Sequence, residues 1–246
     1  CDWSSDVCSS DLPGCRGTVN RATAVSRAVL EMLHAAGVRD VVLAPGSRSA
    51  GLAVAVSQLE KLGAMRLHVR IDEREAGFLA LGLSKFDRAP VAVIVTSGTA
   101  VANLLPAIVE AHQSGIPLIA LTADRPARVR GLGAPQTIHQ AHFASPYVGA
   151  EVDVDAHVDD LDSVRMALRV ALGTPVGVRP GPVHINVQFD MPLLPDVSEL
   201  DWTPALSEDG DDEFRSQVTA LTPSDEHSEY THVPERGLMV LGDIAD

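Results

Sequence analysis

Four short polar turns, each following an apolar run, hold the residues best able to do chemistry in this 246-residue sequence. They read "PGSRS" at 45–49, "DERE" at 72–75, "TSGTAVAN" at 96–103 and "ADRP" at 123–126. Three contain an arginine, Arg48, Arg74 and Arg125, although the chain is acidic elsewhere. Guanidinium groups gathered on one rim suit bidentate capture of carboxylates or phosphates. A plainer account pairs Arg74 with Asp72 or Glu75, and Arg125 with Asp124. That account prevails for any single arginine, whereas three on one rim favour ligand capture.

The acids at 72–75 divide in the same way. Asp72 and Glu75 fit a helix start, where a carboxylate caps exposed N–H groups and meets the positive end of the dipole. Glu73 leads directly into Ala76, Gly77, Phe78 and Leu79, so partial burial there would equip it to share a proton with a bound heterocycle. In "TSGTAVAN", Gly98 permits close approach, and the helix starting near Thr99 offers N–H groups to an anion or polar ring. No Gly-Lys-Ser/Thr follows, and no G-x-G-x-x-G follows the first strand, which argues against a classical nucleoside triphosphate or dinucleotide site. Ser47 lacks the G-x-S-x-G frame of a hydrolase. His139 and His142 have a spacing two metal ligands could use, but they sit in a Pro-containing loop without a helix to fix them, and read as ordinary loop histidines.

The elements that must carry these turns are legible from hydrophobic period. A helix begins after Thr18, with Val25, Val29 and Leu33 on one face, and Gly37 ends it. Strands "DVVLAPGS", "MRLHVRI", "PVAVIVT" and "IPLIALTA" then alternate with helices "AGLAVAVSQLEKLG", "EREAGFLALGLSK" and "TAVANLLPAIVEAHQSG". Asp72 is placed to cap the second of these helices. After a polar loop at 124–142 come "VGAEVDV", the helix "DLDSVRMALRVALG" and "GPVHINVQF". Continuous apolar strands separated by crossover helices specify an α/β fold: a mostly parallel sheet of about six strands, helices on both faces. Ligands bind such sheets beyond the carboxyl ends of the strands, where the four turns lie.

Bulk properties narrow the function class. The net charge of −14 argues against nucleic-acid binding, and residues 201–236 hold −8 of it, ten acids against Arg215 and Arg236. No apolar run approaches the roughly 20 residues that span a bilayer, so a cytoplasmic protein without membrane insertion is expected. All three cysteines, Cys1, Cys8 and Cys15, lie in a segment without apolar period. Residues 1–15 read as a non-native leader, 16–195 as the folded domain, 196–236 as an acidic linker, and 237–246 as the start of a truncated central domain.

"APGSRS", "HVRIDEREAGFLALGLSK", "PVAVIVTSGTAVANLLPAIVEA", "PLIALTADRP" and "GPVHINVQF" together resemble the N-terminal, pyrimidine-binding domain of thiamine-diphosphate enzymes. Within them the pattern is most similar to the 2-succinyl-5-enolpyruvyl-6-hydroxy-3-cyclohexene-1-carboxylate synthases of menaquinone biosynthesis. The resemblance implies that Glu73 hydrogen-bonds the aminopyrimidine N1′ of thiamine diphosphate, with Ser97, Gly98, Thr99 and Asn103 beside the cofactor. It implies substrate contacts at Ser47, Arg48, Arg125 and Gln136, the substrates being 2-oxoglutarate, which loses CO₂, and isochorismate, which receives the succinyl unit. The site would form between subunits of a homodimer or homotetramer. Mg²⁺ or Mn²⁺ would be bound by a C-terminal domain that these 246 residues do not supply, leaving the fragment inactive alone. Where the family reads Gly-Ala-Asn-Gln, this chain has Gly133-Ala134-Pro135-Gln136, and Pro135 offers neither an amide side chain nor an N–H. Half of a split thiamine-diphosphate enzyme and a noncatalytic dicarboxylate-binding domain are the alternatives.

Overall fold

The computed structural model describes residues 19–155, 161–195 and 202–206. Expectations for residues 1–15 and 237–246, and for most of the acidic linker, lie outside them. In chain order the elements are α1 (Arg21–Ala35), β1 (Asp40–Leu43), α2 (Ala50–Lys61), β2 (Arg66–Val69), α3 (Glu73–Asp87) and β3 (Val91–Val95). They continue with α4 (Thr99–Ala102), α5 (Leu105–Ser114), β4 (Leu118–Asp124), β5 (Ala150–Val154), α6 (Asp162–Ala171) and β6 (Val183–Gln188).

Among the described residues all six strands are parallel, in the order β2-β1-β3-β4-β6-β5, as the apolar strands alternating with helices predict. The four inner strands are buried at every residue, while the edge strands β2 and β5 are mostly half-exposed. The reason is positional: an inner strand has a neighbour on each side and a covering layer above and below. On the first face Leu43, Ile94, Leu121 and Ile185 meet α1, α2 and α6. On the second, Val42, Val93 and Ala120 meet α3 and α5. Each fully buried Val, Leu or Ile among them contributes about 1.5–3 kcal/mol.

Helix boundaries follow local chemistry. Asn20 caps α1 by accepting from the Thr23 N–H at 3.0 Å. Asp72 caps α3 by accepting from the N–H groups of Arg74 (2.8 Å) and Glu75 (3.2 Å), as anticipated. The single helix expected over 99–115 is in fact two, α4 and α5, broken at Asn103–Leu104. Pro106 is the cause: it has no N–H to donate to Ala102 in a continuous helix, but in the first turn of a new one the loss costs nothing.

Within the stretch read as linker, residues 202–206 lie on the first-face helices. Trp202 stacks 5.1 Å from the Arg27 guanidinium, and the Ala205 N–H donates to Glu31 Oε1 at 2.8 Å. An indole with an apolar body accounts for this anchoring in a segment otherwise dominated by acids.

Candidate active site

Strand order reverses between β1 and β3, because β2 lies on one side of β1 and β3 on the other. The chain leaves β1 toward the first face and β3 toward the second, opening a crevice at their carboxyl ends. The turns "PGSRS" and "TSGT" meet there. A Cβ on Gly46 would lie 2.4 Å from Thr96 Cβ, and one on Gly98 (φ +84°) would lie 2.9 Å from Gln136 Cγ. Only glycine allows both approaches.

Ser97, Arg125 and Gln136 form one hydrogen-bonded group. Arg125 Nη1 donates to Ser97 Oγ and to the Gln136 carbonyl, both at 2.9 Å. Ser97 Oγ donates to the same carbonyl at 3.0 Å, and Gln136 Nε2 donates to the Ser97 carbonyl at 3.1 Å. Gln136 takes a left-handed φ of +56° directly after the exposed Pro135. Its amide is thus engaged by the "SGT" turn.

Arg48 reaches this rim from β1. Its Nη1 donates to the Phe189 carbonyl at 2.9 Å. Burial, then the positive charge of Arg125, hold the Arg48 guanidinium below its ordinary pKa, against the pull of Asp190 and Asp124. Among the described residues neither Arg48 nor Arg125 has a carboxylate partner. The Asp124 carboxylate accepts from the Arg125 backbone N–H at 2.7 Å, while its own guanidinium partner is Arg130 at 2.6 Å. The plainer alternative, an ion pair of the Arg125 guanidinium with Asp124, therefore does not form.

Arg74 behaves otherwise and corrects the three-arginine rim. It is 67% exposed and lies 3.8 Å from Asp72, an ion pair local to the start of α3. The structure gathers two of the three arginines. Two adjacent guanidiniums satisfied only by neutral oxygens retain charge for an incoming carboxylate.

Glu73 is the first residue of α3 and is half-buried. Its neighbours are occupied: Asp72 caps the helix, and Glu75 pairs with Arg70 at 3.1 Å. The Glu73 carboxylate makes no hydrogen bond or ion pair among the described residues, which leaves it available to a ligand. Ser47, Thr99 and Asn103 are exposed at the same end of the sheet. With only four residues, α4 has a small dipole, so the backbone of "SGT" offers shape more than charge. His139 and His142 are both exposed.

Beyond the site lies a polar layer that the sequence analysis missed, on the second face of β4, β6 and β5. Arg130 binds Asp153 (Nη1 to Oδ2, 2.6 Å) as well as Asp124. Asn186 Nδ2 donates to both carboxylates, at 3.1 and 2.8 Å. His184 Nδ1 contacts Glu151 at 2.6 Å, and its Nε2 contacts Thr122 at 2.7 Å. Burial would raise the Asp153 carboxyl, but hydrogen bonds from Arg130 and Asn186 bring it below its usual value. Glu151 is likewise lowered by His184 and Ser145 despite burial. The contacts hold Arg130 above its ordinary value, Asp153 foremost. The sequence carried a signal: His184, Asn186 and Gln188 alternate along "VHINVQ", marking one polar face of a buried strand.

A cavity of about 430 Å³ adjoins the carboxyl end of β6, lined by Arg21, Arg128, Gln188 and Asp190. Another, of about 420 Å³, lies at the amino ends of the strands around Pro90, Gly115 and Pro117, away from every candidate residue. Among the described residues no group of His, Cys, Asp and Glu could hold a metal ion, and no helix is long and apolar enough to cross a membrane.

Comparison with known proteins bears on this crevice directly. Residues 23–143 match the family described as thiamine pyrophosphate enzyme, N-terminal TPP binding domain. A 2-succinyl-5-enolpyruvyl-6-hydroxy-3-cyclohexene-1-carboxylate synthase from Leifsonia xyli subsp. xyli is 50% identical over 182 residues, covering 72% of this chain and 31% of the relative. The synthase of that name from Paenarthrobacter aurescens is 47% identical over 185 residues, covering 75% and 32%. Its counterpart from Mycolicibacterium smegmatis is 45% identical over 195 residues, covering 74% and 36%. The chain spans about a third of the length of these curated relatives.

Proposed function

Because the chain belongs to the thiamine pyrophosphate enzymes, whose N-terminal TPP binding domain it carries, we propose that it contributes the pyrimidine-binding part of a 2-succinyl-5-enolpyruvyl-6-hydroxy-3-cyclohexene-1-carboxylate synthase. The reaction is decarboxylation of 2-oxoglutarate and addition of the succinyl unit to isochorismate, in the cytoplasm. Thiamine diphosphate, when bound, supplies the electron sink that makes loss of CO₂ from a 2-oxoacid feasible. Glu73 hydrogen-bonds the pyrimidine ring nitrogen and holds a proton there. Ser97, Gly98, Thr99 and Asn103 form the wall beside it. Gly98 is the part of that wall where a side chain would intrude.

Arg48 and Arg125, with Ser47 and Gln136, hold and orient substrate carboxylates. The diphosphate, its Mg²⁺ or Mn²⁺, and the partner subunit of a homodimer or homotetramer would come from parts of the enzyme outside this chain.

The observation that carries the proposal is the carboxylate of Glu73. It stands at the carboxyl edge of a parallel sheet, half-buried, between two acids that are both engaged, with no partner of its own among the described residues. The test is CO₂ release from 2-oxoglutarate, with isochorismate present, by the full-length enzyme and its Glu73→Gln variant. Losing one proton-transfer group lowers the rate by about 10²–10⁴-fold. Full activity in the variant would remove Glu73 from the cofactor site. Dicarboxylate binding without turnover in the unmodified enzyme would instead favour a noncatalytic binding domain.

A further inference from the structure

The peptide joining Ser97 to Gly98 is held from both sides. Its carbonyl accepts from Gln136 Nε2 and its N–H donates to Gln140 Oε1, each at 3.1 Å. The two groups of a trans peptide point in opposite directions, so two side chains are needed to fix its plane. This peptide also needs fixing. Rotating it changes ψ at Ser97 and φ at Gly98, and glycine accepts φ of either sign with little steric cost.

We propose that Gln140 is a positioning residue for the substrate site, locking the Ser97–Gly98 peptide so that Ser97 Oγ stays in place to anchor Arg125. The idea rests on the proposed function only for the identity of the substrate. Gln140 is 1% exposed and lies behind the turn. It acts through Ser97 and Arg125.

Hydrogen-bond logic determines which way Gln140 faces. Asp124 Oδ2 and Asp153 Oδ1 both accept from the Arg130 guanidinium, which can only donate. The Asn186 atom facing those same two oxygens is therefore its nitrogen. Asn186 Oδ1 is left as an acceptor, so the Gln140 atom 2.7 Å away must be Nε2, which also donates to the Ala123 carbonyl at 3.0 Å. Gln140 Oε1 is thereby turned toward the Gly98 N–H. The ion pairs on β4 and β5 thus orient Asn186, Asn186 orients Gln140, and Gln140 holds the turn.

Steady-state kinetics of the full-length enzyme test the role. Gln140→Ala frees the peptide, so KM for 2-oxoglutarate rises about tenfold, the effect of roughly one buried hydrogen bond. kcat, governed by the Glu73 side of the crevice, changes by less than about threefold. An unchanged KM in folded protein overturns the proposal.

Gln140→Glu gives a second reading if the alanine variant does not fold. The carboxylate still accepts from Gly98, but its other oxygen faces Asn186 Oδ1 and the Ala123 carbonyl, both acceptors, near Asp124 and Asp153. Only the neutral acid restores the missing donor, and the surrounding acceptors and carboxylates, partly offset by Arg130 and His184, raise the pH at which it forms. KM of this variant should fall toward that of the parent enzyme between pH 8 and pH 6. Parallel pH profiles for the two proteins overturn the proposal.

Amide hydrogen exchange at Gly98, measured in the same variants, separates this inference from the assignment of the reaction. Faster exchange in the alanine variant is expected whatever the substrate is, and unchanged exchange removes the clamp.

Discussion

The second face of the sheet has two unlike halves. Over β1 and β3 it is apolar apart from Asp40 at the start of β1, which pairs with Arg66 and His68 of β2, and α3 and α5 press onto Val42, Val93 and Val95. Over β4, β6 and β5 it presents Thr122, Asp124, His184, Asn186, Gln188, Glu151 and Asp153, and residues of the connection between β4 and β5 lie on it. The difference follows from what does the covering. A helix satisfies its own backbone and offers side chains, whereas an irregular segment brings N–H and C=O groups that need partners. Gln188 Oε1 meets the Ala127 N–H at 2.8 Å and Gln140 Nε2 meets the Ala123 carbonyl, so the polar strand face supplies what a non-helical cover requires. The candidate site sits at the seam between the halves, with Glu73 on the apolar side and Arg125 on the polar side.

The largest effect should come from breaking the polar half. Arg130→Met leaves the fully buried Asp124 and the partly buried Asp153 without their cation, and urea unfolding should show a loss of about 4 kcal/mol. On the apolar half Leu104→Ala opens a cavity beside Gly77 and should cost about 3 kcal/mol by the same measurement. Thr122→Val keeps the shape but removes the donor to Asn186 Oδ1 (2.9 Å) and the partner of His184, for about 2 kcal/mol. If this exchange were neutral, the polar half would be no more than tolerated.

The smallest expected change is in a slope. Glu151 and Asp153 have folded-state pKa values below their ordinary 4.5 and 3.8, so the stability they contribute is complete above those values. It is lost as pH falls through the lowered ones. Unfolding midpoints measured from pH 6 downward should therefore drop on the acid side of about pH 4.5. The drop should be shallower in Arg130→Met, whose Asp153 has lost its chief stabilising partner.

Much of the apolar half could be read directly from sequence. "PVAVIVT" and "DVVLAPGS" are continuous apolar runs ended by turn residues, and Asp72 stood where a cap belongs. The polar half was less legible, because the alternation in "GPVHINVQF" marks a polar face without showing what meets it. Its polar residues find partners on segments far away in sequence, at Glu151, Asp153 and Gln140. The arginines show the same limit at the site. Spacing marked Arg48, Arg74 and Arg125 alike, and only three-dimensional placement shows that Asp72 reaches Arg74 while Asp124 turns to Arg130. The break after α4 was signalled by Pro106, which a purely hydrophobic period passes over.

The strand order also bears on how this chain can be made. β6 lies between β4 and β5, so β5 has no neighbour to pair with until residues 183–188 have been synthesised. A nascent chain can assemble β2-β1-β3-β4 by residue 124, but Thr122 and Asp124 then wait without Asn186 and His184. Vectorial synthesis thus completes the Glu73 edge first, and the Arg125 edge only when β6 slides into the gap.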